Sequence, residues 1–148
     1  METRLVFGKA EPSAYKAMLT FSSYLENSRI SKSHQELIKI RASQLNGCAF
    51  CLDMHTKDAR KYGETEQRLY VLSAWRDTTF FSPEEQAILA LTEEVTLISQ
   101  GGVKAETYQK AIELFDEIYI SQLIMAIVII NSWNRIAITT HMLPPLAK

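Results

Sequence analysis

Cysteine is nearly absent from this chain of 148 residues. There are two, and both fall in the window Cys48-Ala49-Phe50-Cys51. Only 5 glycines and 4 prolines punctuate the sequence. With so few breakers, and no stretch that alternates apolar and polar residues convincingly, a strand-based fold is excluded and helical periodicity dominates. An excess of charge of either sign is lacking too. The 16 Lys and Arg against 17 Asp and Glu leave a net charge of −1, which points to neither nucleic acid nor an anionic membrane as partner. Glu2, Arg4, Lys9 and Glu11 interrupt any apolar core of a leader segment, so a reducing cytoplasm is the expected compartment. No repeat, linker or low-complexity stretch divides the chain. Residues 1–148 are therefore expected to form one all-α domain, with enough residues for a real core.

Helix signals run the length of the sequence. A first helix is expected from near Ser13 to Asn27, with Tyr15, Met18, Leu19 and Leu25 inward. Ser33-His34-Gln35-Glu36 reads as a capping box that opens a second helix ending at Asn46-Gly47. A third follows to about Tyr62-Gly63, and a short one covers Thr65 to Trp75. Ser82-Pro83-Glu84-Glu85 is the clearest start: an N-cap serine, proline at the first position and glutamate three on. Its helix carries Ala87, Ile88, Leu91, Val95 and Ile98 on one face and breaks at Gly101-Gly102. Another spans about Lys104 to Phe115, aligning Tyr108, Ala111, Ile112 and Phe115. The last begins near Glu117, has no charge from Ile118 to Asn134, and gives way to Pro144-Pro145. That uncharged run is short for a membrane span and includes Ser121, Gln122, Asn131, Ser132 and Asn134. A helix apolar nearly all round must be covered on several sides, which leaves two readings: a central core helix, or a helix partly in a subunit interface.

The cysteines, with His55, carry the chemistry. At about 100° per residue, positions 48, 51 and 55 of one helix fall within roughly 60° of each other. Cys51 and His55 are an i,i+4 pair, so the imidazole can reach that sulfur. Cα atoms three apart on a helix lie about 5 Å from each other, inside the span that a disulfide tolerates. A thiol with pKa near 8.5 is only ~7% thiolate at pH 7.4, whereas one lowered to about 7 is ~70%. In a reducing compartment such a pair is catalytic or metal-binding more often than structural. Zinc would need further ligands, and His34 and His141 are single and distant in sequence; an open three-ligand zinc site stays as an alternative. So does a pair of inert core cysteines. A structural disulfide closing so small a loop would restrain little.

Glu36 stands about 15 Å along its helix from Asn46. A helical hairpin turning at Gly47 would bring His55, about 10 Å along the return helix, back toward it. Two readings follow for Glu36: a partner of Ser33 in the capping box, or the carboxylate of a Glu36–His55–Cys51 relay that orients the ring and favours imidazolium as the thiol loses its proton.

The residues Glu36, Gln44-Leu45-Asn46-Gly47-Cys48-Ala49-Phe50-Cys51 and His55 resemble the core motif of the AhpD-like alkylhydroperoxidases of the carboxymuconolactone decarboxylase superfamily. The similarity continues through Trp75-Arg76, Phe80-Phe81-Ser82-Pro83-Glu84-Glu85 and Ile130-Asn131-Ser132-Trp133-Asn134-Arg135, from about residue 30 to residue 140. It implies an all-helical fold assembled as trimers or hexamers. It also implies thiol-dependent reduction of a hydroperoxide without haem, flavin or metal, an external dithiol reductant, and catalytic roles for Glu36, Cys48, Cys51 and His55. Some members carry a second histidine between the cysteines; Phe50 stands there in this chain. The decarboxylase branch lacks the paired cysteines, so their presence argues against lactone chemistry.

The expected cycle is attack of a thiolate on the peroxide, a sulfenic acid, closure of the Cys48–Cys51 disulfide and reduction by exchange. The contact with His55 favours Cys51 as the attacking sulfur, whereas the helix N-terminus favours Cys48. Two alternatives are a thiol–disulfide oxidoreductase acting on a protein or small disulfide, and a non-enzymatic oligomer switched by the disulfide. Trp75 and Trp133 are expected to pack, or else to wall a substrate pocket. Arg135 is expected to emerge at the wetter end of its helix, or else to reach across an interface or toward an acidic group near the site, and His34 is expected to be exposed.

Overall fold

The computed structural model describes residues 2–146, and no strand occurs among them. The helices are α1 (Phe7–Ala10), α2 (Pro12–Ser23), α3 (Lys32–Asn46), α4 (Ala49–Lys61), α5 (Glu66–Val71), α6 (Pro83–Thr96), α7 (Ala105–Leu114) and α8 (Glu117–Thr140), with 3-10 turns at Tyr24–Asn27, Leu72–Asp77 and Ile98–Gln100. The fold is the all-helical one that the sequence implies.

Helix α3 is central and packs against α4, α6 and α8. Its Ile38 and Ala42 join Leu25, Ile88, Leu91, Leu123 and Ile127 in one apolar cluster. Leu37 and Ile40, on another side, join Ala59, Leu72, Trp75, Phe81 and Leu89 in a second. Burying each such large side chain is worth about 1.5–3 kcal/mol, so α3 is held from two directions at once.

The start of α6 has the expected reciprocal cap: Ser82 Oγ accepts the Glu85 N–H at 3.2 Å and Glu85 Oε2 accepts the Ser82 N–H at 2.8 Å. Ala87, Ile88 and Leu91 are buried, but α6 ends at Thr96 and the turn that follows swings Ile98 out to 54% exposure. The start of α3 differs from expectation. Its cap is Ser31, whose Oγ accepts the His34 N–H at 3.2 Å. Ser33 is thus inside the helix, and Glu36, two residues beyond the position that could complete the cap, is turned into the protein. His34 is half-buried, its Nδ1 3.1 Å from the Tyr119 hydroxyl, rather than free in solvent. Helix α2 buries no residue outright, because it lies on the outside of the bundle; of the four residues expected inward, Leu25 alone is buried.

By length and composition α8 could cross a bilayer. Its apolarity has another cause here. Leu123, Ala126, Ile127 and Ile130 lie in the core, and Asn131 and Asn134 bind α3. Asn46 Nδ2 donates to Asn131 Oδ1 at 2.9 Å and to Asn134 Oδ1 at 2.8 Å. Asn134 Nδ2 donates to Ser43 Oγ, and Asn131 Nδ2 to Thr96 Oγ1, both at 3.0 Å. Among the described residues no buried side-chain nitrogen or oxygen lacks a partner. The opposite side of α8 leaves Ile124, Val128 and Ile138 about 40% exposed, within roughly 80° of one another around the helix. One face is core, and the other presents these apolar side chains to solvent, with the exposed Arg135 between Val128 and Ile138.

Asn134 is fully buried and joins two α3 residues. Asn134→Ala removes both bonds; Asn46 keeps Asn131, but the buried Ser43 loses its donor, and an unmade buried hydrogen bond costs about 1–3 kcal/mol. Urea unfolding at pH 7 is expected to show that loss as a lower midpoint with an unchanged slope.

Candidate functional site

The site is built at the corner between α3 and α4. Gly47 terminates α3 with φ of 72°, a left-handed conformation that glycine adopts without steric cost. The Cys48 N–H then bonds back to the Ser43 carbonyl at 3.0 Å, and the chain restarts as α4. Cys48 is the N-cap of α4 rather than a member of its first turn, and its Sγ accepts the Cys51 N–H at 3.4 Å. The two sulfurs are bonded as a disulfide, with Cα atoms 5.4 Å apart. Both cysteines are buried.

The hairpin brings His55 onto Glu36, as the relay reading requires. The His55 Nδ1–H donates to Glu36 Oε2 at 2.9 Å. Lys39, one turn along α3, donates from Nζ to Glu36 Oε1 at 2.7 Å. Both carboxylate oxygens are therefore held. Burial pushes the Glu36 carboxyl up. The His55 hydrogen bond and the nearby positive charges outweigh this, so it ionises below the ordinary value of 4.5. An ionised carboxylate accepts only, so the Nδ1 that faces Glu36 carries a proton.

A cavity of about 400 Å³ opens beside this pair. Cys51 and His55 are in its wall, together with Phe50, Met54, Ile129, Ile130, Trp133 and Met142, while Lys32, Lys39 and Glu26 supply its charged groups. Cys48 is not in the wall. Helix α2 closes one side with Tyr15 and Leu19, and is fixed there by the Trp133 Nε1–H donating to Ser22 Oγ at 2.6 Å and by edge-on packing of Tyr15 against Trp133. Such a volume and mostly apolar lining suit a small organic molecule.

Of the residues expected at the site, Cys48, Cys51, His55 and Glu36 are brought together. Trp133 walls the cavity, whereas Trp75 packs elsewhere and donates from Nε1 to Glu93 Oε1 at 2.8 Å. Arg135 turns back along α8 to the Asn131 carbonyl. Lys39 was missed by the sequence reading, although its i,i+3 spacing from Glu36 was a legible signal. Asp58 was missed too: its carboxylate, Glu36 and His55 have donor atoms within 4.8 Å of one another, close enough to hold a cation. Ammonium groups already meet both carboxylates, Lys39 on Glu36 and Lys61 on Asp58 at 2.6 Å. The sulfurs in the disulfide offer no thiolate to a metal.

The sequence profile of the "Carboxymuconolactone decarboxylase family" matches residues 12–94. The chain is 49% identical to "Uncharacterized protein YdfG" of Bacillus subtilis (strain 168) over 138 residues, covering 93% of this chain and 94% of that protein. A crystal structure from Agrobacterium tumefaciens, of a protein of unknown function described as a putative antioxidant defence protein AhpD, superposes with a TM-score of 0.96 at 36% identity and covers 99% of this chain and 100% of that one. The apo debrominase Bmp8 has a similar fold, with a TM-score of 0.83 at 15% identity over 93% of this chain and 74% of that one.

Because Glu36 ionises below its ordinary value, its charged form stabilises the fold above that value, and the contribution is lost as pH falls through the folded-state value. Glu36→Gln is expected to destabilise the protein at pH 7 by about 1–3 kcal/mol. Unfolding curves taken between pH 7 and pH 3 are expected to show the gap to the wild type closing on the acid side.

Proposed function

Since the chain belongs to the carboxymuconolactone decarboxylase family, as an AhpD-like member, we propose that it is a thiol-dependent peroxidase that reduces organic hydroperoxides through the Cys48–Cys51 pair. The observation that carries this reading is that Cys51 and His55 share the wall of one apolar cavity while Glu36 holds the far side of the imidazole.

In the reduced enzyme His55 Nε2 takes the proton of Cys51. The thiolate attacks the terminal oxygen of ROOH, the O–O bond breaks, and the imidazolium returns its proton to the leaving alkoxide, giving Cys51–SOH and ROH. The Cys48 thiol then attacks that sulfur; a disulfide forms and water leaves. An external dithiol reopens the pair by exchange, so the sum is ROOH plus dithiol giving ROH, water and the dithiol's disulfide. The exposure of Cys51 to the cavity supports it as the attacking sulfur, and the place of Cys48 behind it suits the resolving role. The cavity also suits a small organic peroxide better than a protein disulfide, which would have to reach a buried sulfur. Residues 1–148 act in this reading as one domain, and the cytoplasm is the compartment that supplies the reductant.

Cys51→Ser is expected to abolish consumption of cumene hydroperoxide in a dithiol-coupled assay. Cys48→Ser is expected to give a single turnover that stops at a trappable sulfenic acid, and His55→Gln to slow the rate by about 10²–10⁴-fold. Unchanged peroxide turnover in Cys51→Ser sinks the peroxidase reading. Disulfide exchange without peroxide turnover in the wild type replaces it with an oxidoreductase.

We also propose that the uncovered side of α8 is where copies of the chain meet, as a homotrimer or homohexamer. Ile124, Val128 and Ile138 form an apolar stripe with no cover of its own. Light scattering of the wild type is expected to give three or six times the 16.9 kDa chain mass, and Ile124→Glu with Val128→Glu to give a smaller particle.

A further inference from the structure

The cycle above gives Lys39 no task. Its Nζ lies 2.7 Å from Glu36 Oε1, its side chain is 18% exposed, and it stands in the cavity wall with Cys51 and His55. The side chain of Glu36 is only 4% exposed, and an unpaired carboxylate at that depth would take up a proton rather than stay charged. A protonated Glu36 would be a donor. It would turn its hydrogen toward His55 Nδ1, push the ring proton to Nε2, and leave the imidazole with nothing to accept the proton of Cys51. The hydrogen bond from His55 works against that protonation at one oxygen, and the Lys39 ammonium adds its charge at the other.

We propose that Lys39 is a positioning residue of the dithiol site: by holding Glu36 charged and oriented it fixes the His55 tautomer that serves Cys51. This rests on the dithiol reading above. Every charged neighbour bears on it. From α3 these are Glu36 and Lys32, and from α4 His55, Asp58 and Lys61; Glu26 comes from the 3-10 turn before α3, and the α8 wall of the cavity contributes no charge. With both signs present, Lys39 matters through its direct contact with Glu36 and not as part of a general positive field. Loss of a positive charge here makes nearby protons harder to lose, and loss of the carboxylate's orientation adds to that in the same direction.

The test is the pH dependence of iodoacetamide alkylation of the reduced protein, which involves no peroxide. For Lys39→Met the midpoint is expected to rise by about 0.5–1 pH unit, slowing alkylation at pH 7 about three- to tenfold. Lys39→Arg is expected to stay near the wild-type midpoint. In a Glu36→Gln background the effect of Lys39→Met is expected to shrink, because the lysine has lost the group through which it acts. An unshifted midpoint in Lys39→Met, or a shift of full size without Glu36, overturns the proposal. If Lys39→Met does not fold, Lys39→Gln is read in its place against the same arginine control. Absence of peroxide turnover with the shift intact would remove the peroxidase reading and leave the role of Lys39 standing.

Discussion

The hydrogen bond between His55 and Glu36 joins two helices through a carboxylate that has almost no contact with water. Desolvating such a group costs several kcal/mol unless its oxygens are met, so its surroundings are constrained. The hairpin must close at Gly47 with a left-handed residue, α4 must return along α3 at a register that puts the imidazole on one oxygen, and a lysine one turn along α3 must take the other. Each is a demand on local sequence, and together they set Cys51 and a carboxylate-held imidazole in the wall of one cavity. Apolar clusters on two sides of α3 keep this register from slipping.

Helix α8 serves the same corner from behind. Its asparagines grip Ser43 and Asn46, and the carbonyl of Ser43 in turn holds the Cys48 N–H. Polar groups placed in an otherwise apolar helix fix where it can sit, because any shift leaves them unpaired in the core. Further along, Ile129, Ile130 and Trp133 of α8 form part of the cavity wall. The last long helix thus shapes both the frame of the disulfide and the space that Cys51 faces.

Much of this was legible in the residues. Gly47 as a stop and Ser82 to Glu85 as a start follow from local rules, and the structure keeps both; of the expected 48, 51, 55 face it keeps Cys51 and His55 on α4, while Cys48 caps that helix from outside. The Glu36–His55 contact was one of the two readings that rise per residue and the turn left for Glu36, and it is the one the packed helices make. What failed was also local in origin. Ser31 and Ser33 are equally good caps, and sequence pattern chose the wrong one because burial of Glu36 is a property of the packed bundle. Helix α2 looked inward-facing by periodicity, but it covers the cavity rather than the core. The asparagine network joins residues more than 80 positions apart, a pairing that periodicity does not contain. Lys39 drew no notice in the sequence, because an i,i+3 pair with a glutamate is ordinary on a helix surface and only the packed bundle puts its partner inside the protein.

The sulfur of Cys48 has a second employment: it is the acceptor that caps α4. Serine is among the residues most favoured at that position. Exchanging one chalcogen for the other at Cys48 would remove the disulfide while leaving the helix properly begun. A lineage can therefore lose the sulfur pair in a single step and still inherit an intact framework with a ready cavity.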